Sequence, residues 1–204
     1  MVDLSGSGRD AVQATVAARP VLARHPAGGT RNILPANSTN LTDGAGWATL
    51  RASRAAAPDS ATGEPATILT ATETNVNGAF LQAGSLTLAP GTYTLSAPLT
   101  GTGWAMLQIA LSTDGAQVAR AWFNLGTGAT GTANFAGAAF SAVSSAIVAV
   151  GDGYRCRITV TVAASGTFFL RPFVVDGNAS NAVTNGAAIR IEAPQFSIAS
   201  AASA

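Results

Sequence analysis

Three tryptophans, one histidine and one cysteine bound the chemistry open to this chain. A Ser-His-Asp or Cys-His nucleophile needs a base beside it. The single His25 stands just before the bend Pro26-Ala27-Gly28-Gly29, and the single Cys156 falls on the inward side of a strand pattern. A four-ligand zinc site is beyond that inventory. No G-x-S-x-G, H-E-x-x-H or P-loop spacing occurs, and Gly6-Ser7-Gly8 lacks the strand and helix of a phosphate cradle. Asp43, Asp114, Asp152 and Asp176 each adjoin Gly, which places them as turn residues and not as two carboxylates facing one hydrolytic cleft. A calcium site made of such turn carboxylates stays open, although no loop has the ligand density of an EF-hand. The inventory points away from an enzyme and towards binding.

Binding pockets combine flat apolar surface with a few orienting polar groups. Trp47, Trp104 and Trp122 supply the first, and Asn124, Gln108, Arg155 and Arg157 the second. Trp47 ends the loop after the first strand and reads as core. Trp104 follows Gly-Thr-Gly at a strand start and suits either core or surface. Trp122 shares its parity with Asn124, while Phe123 and Leu125 share the other, so Trp122 and Asn124 are expected to face outward. Arg155 and Arg157 share an outward face about 7 Å apart, as a grip for an acidic group or as a solvated strand face. Every basic residue is Arg, a planar fork able to hold a carboxylate with two bonds. Cys156 is expected to be a small apolar filler.

Strands must position these residues. From Gly151 to Gly177, Tyr154, Cys156, Ile158, Val160 and Val162 alternate with Arg155, Arg157, Thr159 and Thr161, the period of a strand with one buried face. Ala164-Ser165-Gly166 then turns the chain, and Thr167 to Val175 returns as a second strand, so a central hairpin is expected. A second hairpin is expected at 85–99 around Ala89-Pro90-Gly91. Further strands are predicted at 33–34, 66–72, 104–112, 118–125, 147–150 and 188–198, with a Gly/Ala/Thr tract over 126–139. About nine strands with turn signals every 8–12 residues, and no convincing helices between them, favour an antiparallel β-sandwich or barrel.

The charge balance of 11 basic and 10 acidic residues argues against a nucleic-acid binder, which needs a basic surface. No apolar run approaches the roughly 20 residues of a membrane span, and no signal-peptide pattern is visible. Residues 1–30 are poor in large apolar side chains and are set off by the Pro26–Gly29 bend. They read as an extended or partly helical attachment segment, with residues 31–204 as the domain.

The order of several short motifs resembles a known family. Arg31-Asn32-Ile33-Leu34-Pro35 with Gly46-Trp47 resembles the N-L-L-P … G-W opening of jelly-roll carbohydrate-binding modules, and Gly91 to Ser96 their Y-T-L-S strand. Trp122 to Gly128 resembles the F-x-L-x-T-G strand and turn of phage tail-associated versions. Gly153-Tyr154-Arg155-Cys156-Arg157 resembles their G-W-Y-R strand, and Ala193 to Phe196 their closing A-Q-L/F strand. Asp3 to Gly8, Gln13-Ala14-Thr15 and Ala18 to Leu22 are similar to a stretch that precedes such domains in phage and prophage proteins. There it follows a longer upstream region, whereas here it starts almost at Met1.

This resemblance implies a jelly-roll β-sandwich without catalytic activity, acting as the receptor-binding module of a phage or phage-like particle. It implies contact with host surface polysaccharide, for which the residues read above as candidates are Trp122, Asn124, Trp104, Arg155 and Arg157, and residues 1–30 are expected to contact other virion proteins. A place on the virion surface, in a tail fibre or head spike, follows. So does a homo-oligomer, a trimer if the chain belongs to a fibre, because linked weak sites gain avidity. The alternative is a structural virion protein that makes protein contacts only. A module from a secreted hydrolase fits the first segment less well.

Overall fold

A computed structural model describes residues 32–34, 41, 46–57 and 66–198. The expected segment 1–30, its boundary at residue 31, His25 and Asp43 lie outside the described residues. Within them the chain is all-β. Its strands are β1 (Trp47–Leu50), β2 (Ala52–Ala56), β3 (Ala66–Ala71), β4 (Ala79–Ala83), β5 (Leu86–Leu88), β6 (Gly91–Thr100) and β7 (Trp104–Leu111). They continue with β8 (Val118–Asn124), β9 (Ala129–Ala136), β10 (Phe140–Val150), β11 (Gly153–Val162), β12 (Gly166–Val175), β13 (Ala188–Glu192) and β14 (Gln195–Ile198). No helix among the described residues is long and apolar enough to cross a membrane.

Two antiparallel sheets form the sandwich. Sheet A runs β1-β4-β12-β7-β8-β9, with β5 also on β12; sheet B runs β10-β11-β6-β13-β3-β2, with β14 also on β6. The alternation in β11 works as its sequence implies. Cys156, Ile158, Val160 and Val162 are buried, Tyr154 packs against the core from one end, and Arg157 is exposed. Facing them from sheet A are Leu107, Ile109, Ala119, Ala121, Phe123, Phe168 and Leu170. Small alanines sit among Leu and Phe, so a chain rich in Ala still closes its core by interdigitation. Phe140 of β10 meets Phe168 of β12 edge-on across the two sheets, with ring centroids 5.6 Å apart. Trp47 is core, as expected.

Both expected hairpins are corrected. β11 pairs with β10 and β6 in sheet B, whereas β12 lies between β4 and β7 in sheet A. The Ala164–Gly166 turn therefore carries the chain from one sheet to the other. Likewise β5 pairs with β12 in sheet A while β6 belongs to sheet B, so Ala89-Pro90-Gly91 is a second crossing. Turn chemistry marks a reversal of the chain and does not say in which sheet the returning strand finds its partner. The β7–β8 hairpin around Thr113-Asp114-Gly115 does form. The Gly/Ala/Thr tract holds β9, the edge of sheet A, and Ile33 is bonded to Phe196 through its backbone outside any named strand.

Candidate functional site

Sheet A is two-faced. With Ala121 and Phe123 turned to the main core, Arg120, Trp122 and Asn124 turn to the outer face. The antiparallel register sets Trp104 opposite Asn124 and Met106 opposite Trp122, and Phe173 opposite both Met106 and Phe80. The outer face thus carries an apolar strip, Phe80–Phe173–Met106–Trp122, with Trp104 packed beside it. Phe80 and Phe173 stack at 4.4 Å with their planes tilted by 37°.

That strip is not bare. The loop 176–187 lies over its Trp122 end. The Trp122 indole Nε1 donates to the Ser180 carbonyl at 2.7 Å, and the Asn178 side-chain oxygen accepts from Thr132 N on β9 at 2.7 Å. Asp176 holds the loop's own geometry by accepting from Thr184 N and Thr184 Oγ1. Asn75 and Val183 exchange both backbone hydrogen bonds and pin its far end. Glycine at 131 leaves room for the pair it faces: a Cβ there would strike the Asn178 amide and the Trp104 ring.

The expected outward, exposed Trp122 is corrected by this loop. The residue is on the outer face, as its parity implies, but only 2% exposed. Asn124 spends its side-chain oxygen on Gly126 N and Thr127 N, capping the β8–β9 turn. Trp104 stays partly exposed. It lines a pocket of about 180 Å³ at one end of the sandwich, together with Thr102, Val175, Asp176 and Ile189. Arg155 and Arg157 do share an outward face, but it is that of sheet B. There they stand near a ladder of hydroxyls in which Thr94 and Thr159 lie 2.9 Å apart. The five residues singled out from the sequence are therefore split, with Trp104, Trp122 and Asn124 on sheet A and the two arginines on sheet B.

Among the described residues the turn carboxylates do not assemble a cation site. Asp114 bonds Ala116 N and Gln117 Nε2 in its own turn, Asp176 is tied to Thr184, and Asp152 pairs with Arg190. Among the described residues no three of His, Cys, Asp and Glu come together to hold a metal ion. Cys156 is fully buried, and desolvation pushes its thiol up to about 12, so it is a neutral core side chain.

No family model matches the chain, and no curated protein is significantly similar to it. Several solved structures are distantly similar to it. TmCBM61, solved with β-1,4-galactotriose, is 12% identical with a TM-score of 0.47, covering 83% of this chain and 99% of its own. The C-terminal CBM6 of LamC from Zobellia galactanivorans is 12% identical with a TM-score of 0.41, covering 79% and 94%. CsCBM6-3 from Clostridium stercorarium, solved with cellobiose, is 12% identical with a TM-score of 0.41, covering 84% and 99%.

Proposed function

We propose that this chain is a non-catalytic polysaccharide-binding module whose contact point is the Trp104 pocket. One observation carries the reading: the partly exposed Trp104 and Asp176 both line that pocket. A sugar needs that combination, a flat apolar surface for its C–H face and a fixed acceptor for its hydroxyls. Asp176 is oriented by Thr184 and keeps lone pairs for a ligand, since an ionised carboxylate offers about four acceptor sites. At about 180 Å³ the pocket is smaller than the roughly 300 Å³ at which drug-sized sites begin, which favours one terminal or protruding sugar unit.

The order of phage-like motifs supports the finer reading, a receptor-binding module on the surface of a phage-like particle that contacts host polysaccharide. A second reading, a structural particle protein, draws on Phe135 and Val148. They are 42% and 57% exposed on β9 and β10, the end strands of the two sheets, and suit a protein contact. A glycan array probed with the full chain separates the two. Selective capture on particular glycans supports the module. A silent array, together with self-association that is lost on Phe135→Ser, supports the structural protein.

A further inference from the structure

One cross-strand row from the apolar strip, the outer face of sheet A becomes cationic. The register aligns Arg171 of β12, Gln108 of β7 and Arg120 of β8, with Asn134 of β9 beyond. Arg171 is held on several sides. Its Nε donates to Gln82 Oε1 at 2.8 Å and its Nη1 to Gln108 Oε1 at 3.0 Å, and its guanidinium carbon lies 5.1 Å from the ring centroids of both Phe80 and Phe169. Its other terminal nitrogen is left for a ligand. Arg120, on the far side of Gln108, has no hydrogen-bond or ion-pair partner among the described residues, and its Nε is buried without one.

No described acid serves this row. Glu73 faces Arg51, Asp152 and Glu192 pair with Arg190, Asp176 is tied to Thr184, and Asp114 is used in its own turn. The two arginines thus stand two strands, about 10 Å, apart on one face, with no counter-charge among the described residues. Burial lowers the pKa of both. Arginine nevertheless stays charged, so the repulsion is present at every working pH.

We infer that the Arg120–Gln108–Arg171 row binds one anionic group, a carboxylate or a sulfate, carried by an acidic polysaccharide. Arg171 and Arg120 stand on either side of Gln108, and such a group lying over Gln108 would meet both with charge-assisted bonds. Gln82 and Gln108 have committed their oxygens to Arg171, which leaves their NH2 groups as donors in the same row. Phe169, partly exposed next to Arg171, adds flat apolar surface for a ring. The row lies four residues along β7 from Trp104, about 14 Å, and is a separate site. Only the nature of the polymer rests on the polysaccharide reading; the anion site stands without it.

Titration calorimetry of the full chain at low salt tests this with four probes: polygalacturonate, dextran sulfate, neutral dextran and polyglutamate. At least one acidic polysaccharide should bind about tenfold or more tightly than dextran and than polyglutamate, and inorganic sulfate should compete with it. Which of the two acidic polymers wins assigns carboxylate or sulfate. Arg120→Gln should abolish the preference without lowering the melting temperature, because Arg120 has no internal partner to lose, and Arg120→Lys should restore part of it. Trp104→Ala should keep it, so loss of neutral-glycan binding in that variant with the acidic preference intact supports two separate sites. Acidic polymers binding no better than dextran, an unchanged preference in a folded Arg120→Gln, or polyglutamate binding as tightly as the polysaccharides would each overturn the inference.

Discussion

Trp104 and Trp122 are diagonal neighbours on adjacent strands of sheet A, and what covers each decides its role. Trp122 is sealed under the Ser180 carbonyl and belongs to the structure of the outer face. Trp122→Ala should therefore cost about 3–5 kcal/mol, the range for truncating a core aromatic, and chemical denaturation would show it. A change below about 1 kcal/mol would contradict its burial. Strand parity reads which face a side chain takes, and it did so correctly for Trp122, Asn124, Arg155 and Arg157. It does not read a cover contributed by residues some sixty positions away. Cys156 shows the legible case, a lone thiol inside an alternating strand that is a core filler in the fold. Its folded value of about 12 lies above the ordinary 9.0, so the unfolded chain releases the proton first as pH rises. The Cys156 contribution is complete below about pH 9 and declines by about 1.4 kcal/mol per unit from there towards 12. Unfolding free energies of the native protein and of Cys156→Ala, compared across that window, should converge. Parallel pH profiles would rule the effect out.

At the scale of elements, the loop 176–187 and the weak strand β9 act together. Apart from Phe135, β9 is a run of Ala, Thr, Gly and Asn without apolar alternation, so no period marks it in the sequence. It is held by its pairing with β8 and by the bond from Thr132 N to Asn178. Asn178→Ala removes that anchor and should cost about 0.5–1.5 kcal/mol. The loosened loop should also admit water to Trp122, seen as a red shift and faster quenching of tryptophan emission. Unchanged emission with unchanged stability would mean that the loop is held by its other contacts alone. The same scale explains the two hairpins that do not form. Pro-Gly and Ser-Gly turns signal that the chain reverses, but β5–β6 and β11–β12 reverse across the sandwich. Local residues cannot distinguish the two outcomes, because β5, β6 and β12 find their partners in β12, β11 and β7, which are remote in sequence. The β7–β8 hairpin was legible because its partners are adjacent and its Asp114 turn closes on itself.

For the whole molecule, the class of fold was legible because alternation, turn spacing and the lack of helical periods agree, and a two-sheet antiparallel sandwich is what they form. The candidate site was legible in part. Trp104 could be named from its place at a strand start, but the pocket beside it depends on Asp176 and Ile189, brought there by β12 and β13. The cationic row on sheet A was not legible, since Arg120 and Arg171 are about fifty residues apart and meet only through the register with Gln108. At this scale the exposed Phe135 and Val148 on the end strands bear on assembly. If they form a contact between copies, Phe135→Ser should shift sedimentation from oligomer to monomer without changing the melting temperature. A native protein that is already monomeric at micromolar concentration would remove that contact. Polysaccharide binding at the Trp104 pocket is read by equilibrium titration of a glycan captured on an array, with native protein and folded Trp104→Ala. Removing the indole should weaken binding by about tenfold or more, while the melting temperature drops only modestly. Undiminished affinity in a folded Trp104→Ala would contradict the account.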